Sequence, residues 1–148
     1  QVCGFMAGPK IDEVEDNVFQ ISSRINSTWG GSLVDMVRSR RFMEIIHEDG
    51  LMDQITETGE YVKRGLRDIA EETGAFTNVR GLGSLHAFTF ETGAHRDAVN
   101  NALFKQKLIG LTCGPRSLRF RLPLTISRAE VDQILERVAT CAREHVLT

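Results

Sequence analysis

The sequence predicts an α/β chain of the α+β kind, in which two long helices lead into a small antiparallel sheet covered by helices. Three observations carry this. Apolar residues recur at the helical period of about 3.6 between Ser32 and Thr73. After Gly74 the period drops to two. The remaining half then reads as strand, helix, strand, strand, helix, an order that places helices on one face of a sheet. With 148 residues, 41% of them hydrophobic and 26% charged, the chain is long enough to bury a core of its own.

Composition also excludes several function classes. A net charge of -2, with arginines balanced by acids along the same segments, leaves no footprint for nucleic acid. The longest apolar runs are a handful of residues, well short of the roughly 20 that cross a bilayer, so no membrane partner is expected. Cys3, Cys113 and Cys141 are scattered and odd in number, which suits reduced thiols in a cytoplasmic protein. His47, His86, His95 and His145 are too widely spaced to suggest a metal site.

Taken in order, Val2 to Met6 reads as a buried strand ended by Gly8-Pro9. The start at Gln1, with no initiator Met and no basic leader, reads as a strand entered midway, so a piece of a longer protein is expected. An acidic connection, Ile11 to Asp16, leads to a brief extended piece at Val18-Phe19-Gln20-Ile21. The first helix is expected from Ser32 to His47 on Leu33, Met36, Val37, Ile45 and Ile46, with Arg38, Arg40 and Arg41 as a solvated face. Glu48-Asp49-Gly50 interrupts it. The second helix runs from Leu51 to Thr73 on Ile55, Val62, Leu66, Ile69 and Ala70, with Tyr61 as a packing residue and Gly74 as the stop.

Alternation of His86, Phe88 and Phe90 with Leu85, Ala87 and Thr89 predicts a strand over Ser84 to Phe90. Gly81-Leu82-Gly83 is no dinucleotide fingerprint, because a strand follows it where that motif requires a helix. A helix from Arg96 to Lys107 follows, then a strand over Leu108 to Thr112, a turn at Cys113-Gly114-Pro115, and a strand over Ser117 to Leu122. Ser127-Arg128-Ala129-Glu130 is a capping box that opens a last helix ending near His145.

Two places suggest binding. In Asn26-Ser27-Thr28-Trp29-Gly30-Gly31-Ser32-Leu33-Val34-Asp35, hydroxyls and glycines run into a helix start, where unpartnered N–H groups and the dipole favour an anion. From spacing alone, a variant capping box made by Ser32 and Asp35 is the favoured reading of the same residues. Arg119 alternates with Phe120 in the last strand, where a guanidinium on a rigid element can clamp a carboxylate with two hydrogen bonds. Arg121 has the same parity. The pattern does not choose between them.

Ser27 to Gly31 before a helix, Val79 to Gly83, and Leu118 to Ser127 together resemble the C-terminal part of class III, fold type I aminotransferases, which use pyridoxal phosphate. Gln1 to Gly4, Arg24 to Gly31 and Asp35 to Arg38 are most similar to the members that move the ε-amino group of L-lysine to 2-oxoglutarate. The resemblance implies that Thr28, beside Ser27, reaches the cofactor phosphate across a homodimer interface, that Arg119 rather than Arg121 binds the α-carboxylate, and that Asn26 lies near the same pocket. It implies no catalytic residue within this chain: the lysine that holds the cofactor lies upstream, and Lys10, Lys63, Lys105 and Lys107 match no such position. It further implies that residues 1–31 end the large cofactor domain, that 32–74 are interdomain helices, and that 75–148 are the small C-terminal domain. An aminotransferase for 4-aminobutyrate or ornithine, or a non-enzymatic ligand-binding or dimerisation module, are the alternative readings.

Overall fold

A computed structural model describes Gly4 and residues 6–145. They divide into two compact units, Gln1–Asp49 and Gly50–Thr148. The strand expected over Val2 to Met6 lies largely outside the described residues, since positions 2, 3 and 5 are not among them.

In the first unit, short 3-10 turns at Pro9–Glu13 and Ser22–Arg24 precede helix α1, Leu33–Glu48. The segment Val18 to Ile21, expected to be extended, is a turn instead. Asn17 is the reason. It is buried, its amide nitrogen donates to the Val14 carbonyl (3.0 Å), and its side-chain oxygen accepts from the Phe19 N–H (2.9 Å), a side-chain turn that asparagine favours. Arg24 closes the same loop by donating to the Asn17 carbonyl (3.1 Å). Along α1, Arg38 pairs with Asp35, Arg40 with Glu44, and Arg41 with Glu44 and Glu48, so the basic patch is a solvated, self-paired face as the sequence implied. No residue of α1 is buried. Its apolar positions Leu33, Met36 and Val37 are exposed.

The second unit holds the core. Helix α2, Leu51–Thr73, lies between two glycines in the left-handed region, Gly50 (φ 61°) and Gly74 (φ 66°), and buries Leu51, Ile55, Gly59, Val62, Leu66 and Ile69 along one stripe. Strands β1 (Thr77–Leu82) and β2 (Leu85–Thr89), helix α3 (Gly93–Lys105), strands β3 (Leu111–Cys113) and β4 (Ser117–Arg121), and helix α4 (Arg128–Glu144) follow. The four strands form one antiparallel sheet in the order β1-β2-β4-β3.

Strand β1 adds a fourth strand to the three that the sequence predicted. Its register shifts between Thr77 and Arg80, Asn78 has φ 50°, and Gly81 contributes no side chain, so no period-two pattern survives. Helix α3 starts at Gly93, three residues before the expected Arg96, because the Thr92 hydroxyl caps it by accepting from the His95 N–H (3.1 Å). β3 starts at Leu111 rather than Leu108, since the end of α3 is closed by Lys107 (φ 63°) and by the Leu108 N–H donating to the Leu103 carbonyl (2.9 Å). The predicted capping box of α4 forms in both directions, Ser127 N–H to Glu130 (2.8 Å) and Glu130 N–H to the Ser127 hydroxyl (3.3 Å).

The helices cover one face of the sheet, with α2 against β1 and α4, and α3 against β4 and α4. Toward them point Phe88, Leu118 and Phe120, all buried, and Phe76, Phe88, Phe90 and Phe120 form a chain of tilted rings with centroids 4.4–5.7 Å apart. Two glycines allow a close approach: a Cβ on Gly59 of α2 would collide with the Gly83 carbonyl at the β1–β2 turn. Beneath that turn His86 is buried, its Nε2–H donating to the Gly83 carbonyl (2.8 Å), and burial pulls its pKa below the ordinary histidine value. Tyr61 is a packing residue as expected, its ring under the Arg128 guanidinium and its hydroxyl donating to Asp132 (2.7 Å).

Candidate functional site

In the first unit, the Asn26 to Ser32 loop is a tight turn. The Gly30 N–H donates to the Ser27 carbonyl (3.0 Å) and the Ser32 N–H to the Trp29 carbonyl (3.3 Å), while Gly31 takes φ 74°. The Asn26 and Ser27 side chains converge over Gly30, where an added Cβ would lie 3.4 Å from each and 3.2 Å from the Ser27 carbonyl. The cap proposed from spacing does not form. Ser32 makes no side-chain cap bond, and Asp35 binds Arg38 (2.8 Å) instead. The first N–H groups of α1 therefore lack a side-chain acceptor, and the Ser27 and Thr28 hydroxyls have none among the described residues. Exposed hydroxyls at an uncapped helix start, with the adjacent carboxylate neutralised, form a donor set suited to phosphate.

In the second unit, β4 displays its residues alternately. Leu118 and Phe120 enter the core; Arg119 and Arg121 stand exposed on the open face of the sheet. Neither guanidinium has a hydrogen-bond or ion-pair partner among the described residues. The two differ in their surroundings. Arg119 pairs with Ala87 on one side and Leu111 on the other, so both flanking strands fix its backbone. Arg121 pairs with Leu85 alone, beyond the end of β3. Its neighbour on β2, Ala87, carries only a methyl group. An exposed arginine on a fixed strand, with no partner among the described residues, suits a ligand carboxylate.

One feature of this face escapes sequence reasoning. Arg80 of β1 lies on the same cross-strand row, paired with Ala87. Its Nη1 donates to the Thr89 hydroxyl (3.1 Å) and the Asn78 carbonyl (2.9 Å), and its Nη2 donates to the Ser117 hydroxyl (3.4 Å). Thr89 and Ser117 also bond to each other (2.9 Å). The signal available was Val79-Arg80 beside two glycines, but without a recognised β1 no face could be assigned to Arg80. A cleft of 360 Å³ is lined by Phe76, Thr77, Thr89, Phe90, His95 and Arg116; it shares Thr89 with the Arg80 cluster and holds none of the predicted site residues.

Comparison with known proteins identifies the family of the chain as a whole. Residues 6–142 match the model of the aminotransferase class-III family. The chain belongs to that family. It is 48% identical over 141 residues to L-lysine-epsilon aminotransferase of Amycolatopsis lactamdurans, covering 94% of this chain and 31% of that protein. It is 32% identical over 130 residues to 4-aminobutyrate aminotransferase of Escherichia coli, covering 81% of this chain and 30% of that one. A solved lysine aminotransferase from M. tuberculosis superposes with a TM-score of 0.81 at 44% identity, over 95% of this chain and 33% of its own. The chain thus spans about a third of the length of the relatives it matches. The mixed helix-and-sheet architecture expected from sequence is that of the matching part of this fold.

Proposed function

We propose that the chain is the C-terminal portion of a pyridoxal-phosphate-dependent aminotransferase that moves the ε-amino group of L-lysine to 2-oxoglutarate and acts as a cytoplasmic homodimer. The observation that carries this reading is Arg119, an exposed and unpaired guanidinium held between two strands on the open face of the sheet. It would receive the α-carboxylate of the amino acid. Identity of 48% to a lysine enzyme against 32% to a 4-aminobutyrate enzyme favours lysine as donor.

When bound, pyridoxal phosphate supplies the electron sink for removing a proton from the amino-bearing carbon. This chain's part is to bind and orient. Thr28 and Ser27 would donate their hydroxyl protons to phosphate oxygens, beside the free N–H groups of α1, in a grip completed by the other subunit. Asn26, turned over Gly30 beside them, would border the substrate pocket. Arg119 would fix one end of the substrate, so that the reacting end is set by distance from that carboxylate. In this arrangement residues 1–31 end the large cofactor domain, the helices of 32–74 lead out of it, with α2 packed on the sheet, and 75–148 form the rest of the small domain.

The lysine that holds the cofactor and shuttles the proton is assigned upstream of Gln1, so the 148-residue chain alone should turn over no lysine. A parent carrying the preceding residues should use lysine in preference to ornithine and 4-aminobutyrate with 2-oxoglutarate as acceptor. Preference for either of the others would move the donor assignment; turnover by the 148-residue chain alone would overturn the upstream lysine.

A further inference from the structure

We propose that Arg80 is a positioning residue for the carboxylate site, acting on Arg119 through the Thr89–Ser117 hydroxyl pair. The inference rests on the carboxylate role of Arg119. Three strands meet on the open face at this cluster: Arg80 comes from β1, Thr89 from β2 and Ser117 from β4. Ser117 is buried although it lies on the exposed side of the sheet, because the Arg80 and Thr89 side chains cover it. It is fixed twice: its hydroxyl meets Arg80 and Thr89, and its carbonyl accepts from Arg96 Nη1 (3.4 Å) at the start of α3. Two residues further along the same strand, on the same face, stands Arg119.

Proton counting makes Arg80 the organiser of the pair. Two hydroxyls carry two protons and one of these is spent on their mutual bond, so a fork that donates to both oxygens fixes which lone pairs are used. Without it, both side chains regain rotamer freedom and the first residue of β4 is held only through its backbone and Arg96. The guanidinium of Arg119, which has no partner among the described residues, then depends on a less constrained strand. Arg80 and Arg119 lie in one row across Ala87, about 10 Å apart by strand spacing, and the hydroxyl bonds turn the Arg80 fork toward Thr89 and Ser117.

The test uses the parent enzyme, with KM for lysine and 2-oxoglutarate, kcat and melting temperature measured together. Arg80→Ala should raise both KM values about 3- to 10-fold, the loss of one or two ordinary hydrogen bonds, with kcat within about twofold. Arg80→Lys, which keeps the charge but not the fork, should recover only part of the loss, and Arg80→Met none. In a Ser117→Ala background, Arg80→Ala should add little, because the two act as one unit. Unchanged KM in Arg80→Ala, or effects of Arg80→Ala and Ser117→Ala that multiply, would overturn the proposal. If Arg119→Ala also left KM unchanged, the carboxylate site itself would fall; an Arg119 effect with none from Arg80 would remove only the positioning role.

Discussion

At the scale of single residues, the roles proposed for Arg119 and Thr28 can be tested with little cost in stability, because both are exposed and neither is part of the core. Arg119→Ala in the parent should weaken kcat/KM by about 2–5 kcal/mol, as expected when a desolvated carboxylate loses its charged partner, while the melting temperature stays within a degree or two. Steady-state kinetics beside a thermal melt separates the two quantities. Thr28→Ala should lower cofactor affinity by about 1.5–3 kcal/mol, the range for a hydrogen bond to a charged group, read by titrating apo-enzyme with pyridoxal phosphate. His86 behaves in the opposite way. Burial lowers its pKa, so the folded protein favours the neutral ring while the unfolded chain still takes up a proton near pH 6.5. Its stability contribution is therefore full above that pH and declines as pH falls below it toward the depressed folded value. His86→Gln should flatten the fall in melting temperature between pH 6.5 and 5.

Elements were legible in the sequence where local chemistry and burial agreed. The α2 stripe, the two glycines around it and the α4 capping box were all readable, because each is a local rule that the tertiary structure leaves intact. β1 was hidden because its bulge and Asn78 break the alternation on which strand recognition depends. The turn after Asn17 was hidden for a different reason: a side chain there replaces backbone pairing, which apolar periodicity does not register. Of the candidate site, the shared parity of Arg119 and Arg121 was readable and the preference for Arg119 came from the family resemblance; that two strands flank Arg119 and one flanks Arg121 could not be read from the alternation alone. The α4 cap yields a test at this scale. Ser127→Ala should destabilise the second unit by about 0.5–2 kcal/mol. Bonds from Ser127 hold the Glu130 carboxyl below its usual range, so the cap is intact above the ordinary carboxylate pKa of about 4.3 and weakens as pH falls through the lower folded value. Helix content in the variant should therefore depend less on pH in that range than in the parent.

At the scale of the whole molecule, every buried hydrophobic residue among those described lies between Leu51 and Ala142. The first unit contributes a buried asparagine and an ion-paired helix, but no core. A chain of residues 50–148 should therefore fold cooperatively and melt within a few degrees of the 148-residue chain, as followed by circular dichroism, and limited proteolysis should degrade residues 6–49 first. A large drop in melting temperature on removing the first unit would mean that stability is shared between the two.

Alternation along β4 has a consequence for how such a protein diverges. Positions 118 and 120 face the helices while 117, 119 and 121 lie on the open face, so a single five-residue segment alternates between building the core and lining that face. Substitutions on the outward parity can therefore change what the open face offers a ligand without disturbing the phenylalanine cluster behind them.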